Sequence, residues 1–179
     1  LSLCETGQTT ASLDLMQQAL ELNPRNANGA HFLAHALYED GRTDEGRAYL
    51  ADWMPGYDRR SALHGHLSWH GALWALQDGD AEAMWAAVDA GVGPDTGHSL
   101  PINVLTDTAA ICYRAQIAGL PVEPERWAQL SDYAAQYFPQ TGQSFADMHG
   151  ALAHAMAGQG ARLAHIAEGA KGFAGDLVR

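Results

Sequence analysis

Apolar residues recur at helical spacing along almost the whole chain, and no window alternates apolar and polar positions long enough to argue a strand. Breakers cut the pattern into pieces of helix length. Gly7, Gly41 and Gly79 each follow an apolar-periodic segment, where glycine can end a helix in the left-handed conformation. A helix-start signal follows each one: Thr9 or Thr10, then Thr43 with Asp44 and Glu45, then Asp80 with Glu82. Further on, "VGPDTGHSLP" at 92–101 reads as a loop. A helix is predicted near 102–118, closed by Gly119, and another from Pro124 to a stop at Pro139. Ser144 and Asp147 form an S-x-x-D capping box for a helix reaching about Met156. "GQG" at 158–160 turns the chain into a last helix, whose glycine-rich tail is expected to fray.

The three glycines stand 34 and then 38 residues apart, which predicts an internal repeat. In "ASLDLMQQALELNPRN", Ala19 and Pro24 are five apart, as the small residue and terminal proline are in tetratricopeptide repeats. In "NGAHFLAHALYEDGRTDEGRAYLADW", Leu33, Ala34, Leu37, Gly41 and Gly46 fall at small or apolar packing positions. Gly71, Ala72, Gly79 and Met84 take similar positions in the next unit. The expected fold is all-α: antiparallel helix-hairpin repeats forming a degenerate tetratricopeptide-like α-solenoid. Residues 1–91 carry the tetratricopeptide-like pairs, and 92–179 continue the same stack as helical hairpins within one domain. The opening "LSLCETGQ" reads as the end of a helix, so an N-terminally truncated chain is expected.

Composition narrows the function classes. At 179 residues, 47% hydrophobic and 17% charged, the chain is globular in character. Its formal net charge is −11, and its one lysine, Lys171, and nine arginines are scattered. No basic face serves a polyphosphate, so neither nucleic acid nor an anionic membrane is an expected partner. Cys4 and Cys112 stand alone, which suits a reducing cytoplasm and excludes zinc-ribbon and thioredoxin readings. No apolar run approaches the roughly 18 residues of a membrane span.

The nine histidines change the picture most. His31 and His35 are four apart on one predicted helix, and His66 and His70 are four apart on the first helix of the next unit. Residues so spaced share a helical face, and equivalent helices of stacked repeats are neighbours. Four imidazoles could therefore converge on one groove. Two H-x-x-x-H pairs with a carboxylate suit zinc or another first-row metal. H-E-x-x-H, E-x-x-H, G-x-S-x-G and phosphate-loop motifs are absent. The competing reading is that these rings pack and donate to carbonyls or carboxylates. Asp107 and Arg114, seven apart, read as a structural ion pair or as binding neighbouring helices; Asp147 reads as a cap rather than a ligand; His149 fits either role. His64, His98, His154 and His165 read as surface or loop residues, the five tryptophans as inter-helix packing, and Cys112 as an inert core thiol.

Four stretches together, "HFLAHALYEDGRTDEGRAYL", "HLSWHGALWALQDGD", "LTDTAAICYRAQIAGL" and "FADMHGALAHAMAG", resemble the tetratricopeptide repeat protein 38 family over residues 28–160. On that resemblance the family's motif residues fall on His31, His35, His66, His70, Asp107, Arg114, Phe145, Asp147 and His149. Leu67 and Gly71 depart from its pattern, where a polar or aromatic residue and an aromatic residue are usual. The resemblance implies a helical-repeat fold and no particular reaction. The first expectation is thus a cytoplasmic scaffold without a cofactor that binds a protein or peptide partner. The rival is a metal-binding protein or metal-dependent enzyme, zinc being one candidate, with His31, His35, His66 and His70 as ligands.

Overall fold

A computed structural model describes residues 2–96 and 98–171. The helices are α1 (Ser2–Glu5), α2 (Thr9–Leu22), α3 (Ala27–Glu39), α4 (Thr43–Trp53), α5 (His64–Gln77), α6 (Ala81–Ala87), α7 (Pro101–Ile117), α8 (Pro124–Tyr137), α9 (Ser144–Met156) and α10 (Gly160–Lys171). The fold is all-α, with no strand among the described residues. Of the tail expected to fray, residues 167–179, the first five are helical and continue α10 to Lys171, and 172–179 lie outside the described residues.

The repeated glycines end α1, α3 and α5 in the same way. Gly7, Gly41 and Gly79 have φ of 76°, 76° and 77°. The residue after each donates its N–H across the last turn: Gln8 to Leu3 O, Arg42 to Leu37 O and Asp80 to Ala75 O, at 2.8, 2.8 and 2.9 Å. These 6→1 bonds satisfy carbonyls that a helix end leaves orphaned. Asn26 caps α3 by accepting the Gly29 N–H at 3.0 Å, and Asp80 caps α6 by accepting that of Ala83 at 2.9 Å.

Short turns fold α2 on α3, α3 on α4, α5 on α6 and α8 on α9, while α7 packs against α5, α8 and α9. Helix α3 serves two cores: Leu33, Ala36 and Leu37 meet Leu13 of α2, and Ala34 meets Leu50, Leu67 and Trp74. Helix α5 likewise sends Leu67 and Trp74 one way and Ala72 the other, toward Met84, Leu105, Ile111 and Leu130. Gly46 lets α4 approach closely, its absent Cβ lying 3.4 Å from Leu37 Cβ.

Several local expectations need correction. Gly71 is exposed, and a Cβ added there would meet nothing within 4 Å, so it faces out rather than into a helix contact. Ser144 is the first residue of α9 and caps nothing; Asp147 instead reaches back to accept the Gly142 N–H at 2.8 Å. Within and beside the stretch 92–101, read as a loop, lie a π turn at Val88–Val92 and a 3₁₀ turn at Pro94–Thr96, and Pro101 already belongs to α7. That π turn packs against α5, and beyond it Ser99 Oγ accepts the Gly65 N–H of the same helix at 3.1 Å.

A Cβ at Gly65 would sit 2.6 Å from the Gly91 carbonyl oxygen, which backbone cannot easily yield. Gly65→Ala is therefore expected to destabilise the fold by roughly 1–3 kcal/mol. On the same helix Gly71→Ala is expected to stabilise by about 0.5–1 kcal/mol, through helix propensity alone. Urea unfolding of the two variants checks the opposite signs.

Candidate metal centre

His31 and His35 stand one turn apart on α3, and His66 and His70 one turn apart on α5. Because both helices bury apolar residues on neighbouring faces, the two histidine faces are turned toward each other. His31 Nε2 lies 2.9 Å from His35 Nε2, 3.0 Å from His70 Nε2 and 3.1 Å from His66 Nε2. The donor atoms of His31, His35 and His70 all lie within 4.8 Å of one another. The rings meet edge-on: His31 and His66 at 82°, His35 and His70 at 89°.

Imidazole chemistry makes this arrangement unusual. One ring nitrogen carries either one hydrogen or one in-plane lone pair. His31 Nε2 can therefore make a hydrogen bond to one of its three neighbours at most. The remaining close N···N contacts are uncompensated unless a cation lies among the nitrogens. Ligands held at about 2.0–2.1 Å from a first-row ion stand roughly 2.9–3.4 Å apart, the range of the three contacts to His31 Nε2.

The electrostatics favour lone pairs over protons. Burial, followed by the neighbouring His66 and His35, lowers His31 to about 3. Burial, followed by His35 and His31, lowers His70 to about 2. Burial also depresses His35 below the ordinary imidazole value. These rings are thus neutral near pH 7, the form that binds metals.

Asp107 on α7 fixes the fourth ring. Its Oδ2 lies 2.8 Å from His66 Nδ1, so that Nδ1–H donates to the carboxylate and Nε2 is left facing the cluster. Asp107 is 6% exposed, and burial pushes its carboxyl above the usual range, against the pull of the His66 hydrogen bond. Trp69, three residues after His66, stacks on the His66 ring at 5.4 Å and 18°.

The other candidates divide. Arg114 does not pair with Asp107; it lines a groove beside His35 and His70. Of the two sequence readings, the ion pair is not formed, and Asp107 instead binds a neighbouring helix through His66. His149 donates its Nδ1–H to Phe145 O at 2.8 Å and does not belong to the group of clustered ring nitrogens. Asp147 accepts the N–H of Gly142, ahead of α9, and does not belong to the group of clustered ring nitrogens. His154, read from sequence as a surface residue, is 4% exposed, with Nδ1 2.7 Å from Ser131 Oγ. Its alternation with small residues along α9 conceals that burial. Glu5 and Glu39, unmarked in the sequence, lie close enough to act on His35.

Cys112 is buried and its thiol is pushed up to about 11 by that burial, so it remains an unreactive core residue. No helix of the described residues is long and apolar enough to cross a membrane.

No solved structure matches the chain. A family model described as tetratricopeptide repeat matches residues 3–67, a stretch that runs from α1 into α5 and holds His31, His35 and His66. That part of the chain is accordingly of the tetratricopeptide-repeat type, and the four-histidine cluster sits where it passes into the helices that follow.

Proposed function

We propose that this helical-repeat protein holds a first-row transition metal, zinc foremost, through Nε2 of His31, His35, His66 and His70. The observation that carries the reading is the three-fold crowding on His31 Nε2 at 2.9–3.1 Å, which hydrogen bonding cannot satisfy. An all-imidazole donor set suits zinc, copper, iron or nickel rather than magnesium or calcium. Asp107 sets the His66 tautomer, and Trp69 covers that ring. A metal bound here would supply Lewis acidity to any group brought against it.

The test is elemental analysis of untagged protein purified without chelator or nickel resin, beside a His66→Ala, His70→Ala double variant. About one equivalent of transition metal, lost in the variant, is expected. No metal in either sample overturns the reading.

A second reading, a scaffold for a protein or peptide partner, is favoured by the tetratricopeptide match over residues 3–67. The net charge of −11 directs it toward basic or amphipathic segments. The two readings are compatible, since a metal can hold together the helices that present such a surface. The two free buried thiols, Cys4 and Cys112, fit a reducing compartment such as the cytoplasm.

A further inference from the structure

Beside the four rings runs a groove of about 600 Å³, the size of a small-molecule site. Its walls come from separate parts of the fold. Trp69, Leu73 and Trp74 of α5 give it an apolar floor, and His35 and His70 belong to its lining. Glu5 of α1, Glu39 of α3 and Arg114 of α7 also line it. Each of these three charged side chains is exposed, and none has an ion-pair partner among the described residues. Elsewhere most arginines are engaged: Arg42, Arg47, Arg60, Arg126 and Arg162 all pair with carboxylates.

Two acids and one guanidinium that line the same groove as two tryptophans, none of the three ion-paired among the described residues, complement a particular kind of molecule. It carries an ammonium group, a carboxylate and an apolar side chain between them. We propose that this groove binds a short zwitterionic peptide, of dipeptide size, with an aliphatic or aromatic side chain. Glu5 and Glu39 receive the amino terminus, and the Arg114 guanidinium receives the carboxylate, a geometry it can meet with two parallel hydrogen bonds. Trp69 and Trp74 take the apolar side chain. The inference rests on the proposed metal centre in one respect: His35 and His70 belong to both, so a bound peptide lies against the ion's ligands.

The experiment uses the dipeptide Leu-Phe, its C-terminal amide and its N-acetyl derivative. Each is titrated calorimetrically into the purified protein, with metal content measured on the same sample. Leu-Phe is expected to bind, and blocking either end is expected to weaken it about tenfold. Arg114→Gln is expected to erase the difference between acid and amide without changing metal content. A Glu5→Gln, Glu39→Gln variant is expected to erase the difference made by acetylation. Equal binding of all three probes, or no binding at millimolar concentration, overturns the peptide site. A sample that holds no metal yet discriminates among the probes overturns the metal centre and supports the groove.

Discussion

His31→Ala is expected to abolish stoichiometric metal binding, whereas His149→Ala leaves it intact. His31 is the hub of the cluster, since its Nε2 is the one atom within 3.1 Å of the other three ring nitrogens. Removing it takes away a ligand and also the ring that holds the α3 pair against the α5 pair. Asp107→Ala tests the next layer. Losing the partner of a ligating imidazole typically costs 10–100-fold in metal affinity, so a drop of about that size is expected. A competition titration against a chromophoric zinc chelator measures all three.

Thermal unfolding gives the same variants a second signature. A ligand that binds only the folded state stabilises it by about 4 kcal/mol when free ligand stands at roughly a thousand times its dissociation constant. Zinc is therefore expected to raise the wild-type midpoint and to leave that of His31→Ala unmoved. Without metal the variant should differ little from wild type, because the substitution also relieves the crowded nitrogens. A large loss of metal-free stability in His31→Ala would instead mean that the rings are packing residues.

Leu67→Ala is expected to be the most damaging single truncation near the site. Leu67 is 1% exposed and packs with Ala34, Leu50 and Trp74, the cluster that joins α3, α4 and α5. Truncating a fully buried leucine costs roughly 2–5 kcal/mol through lost transfer energy and the cavity left behind. For a chain of this size the unfolding midpoint should fall on the order of 10 °C. Because His66 precedes Leu67 and His70 follows within a turn, a shift of α5 also moves two donor rings. Zinc affinity should therefore fall with stability, whereas an equally buried residue of the C-terminal core, such as Leu130, should lower stability alone when changed to alanine.

The repeat was legible because local chemistry wrote it. A glycine that must take positive φ leaves a mark wherever a helix turns back, and Gly7, Gly41 and Gly79 do so. Pro124 starts α8 at a first-turn position for an equally local reason. The capping box of Ser144 and Asp147 misled because Asp147 found another donor one turn away, in the Gly142 N–H. Gly71 misled because helical spacing does not say which face of a helix its neighbours will cover. His154 escaped notice because its burial depends on Ser131 of α8, distant in sequence.

By itself the sequence determined the helices, their turns and the pairing of histidines on two helical faces. All of these follow from interactions spanning four or five residues. Only the tertiary structure decided that the two faces meet, because this depends on how the side chains of α3, α4 and α5 fill their shared core. That packing also gave Asp107 to His66 rather than to Arg114. The carboxylate lies on α7 at the depth of the imidazole, 2.8 Å from it, and Arg114 is left to face the groove. Two residues seven apart on a helix share a side of it, but partners across a helix contact are chosen by depth and distance, which no local spacing encodes.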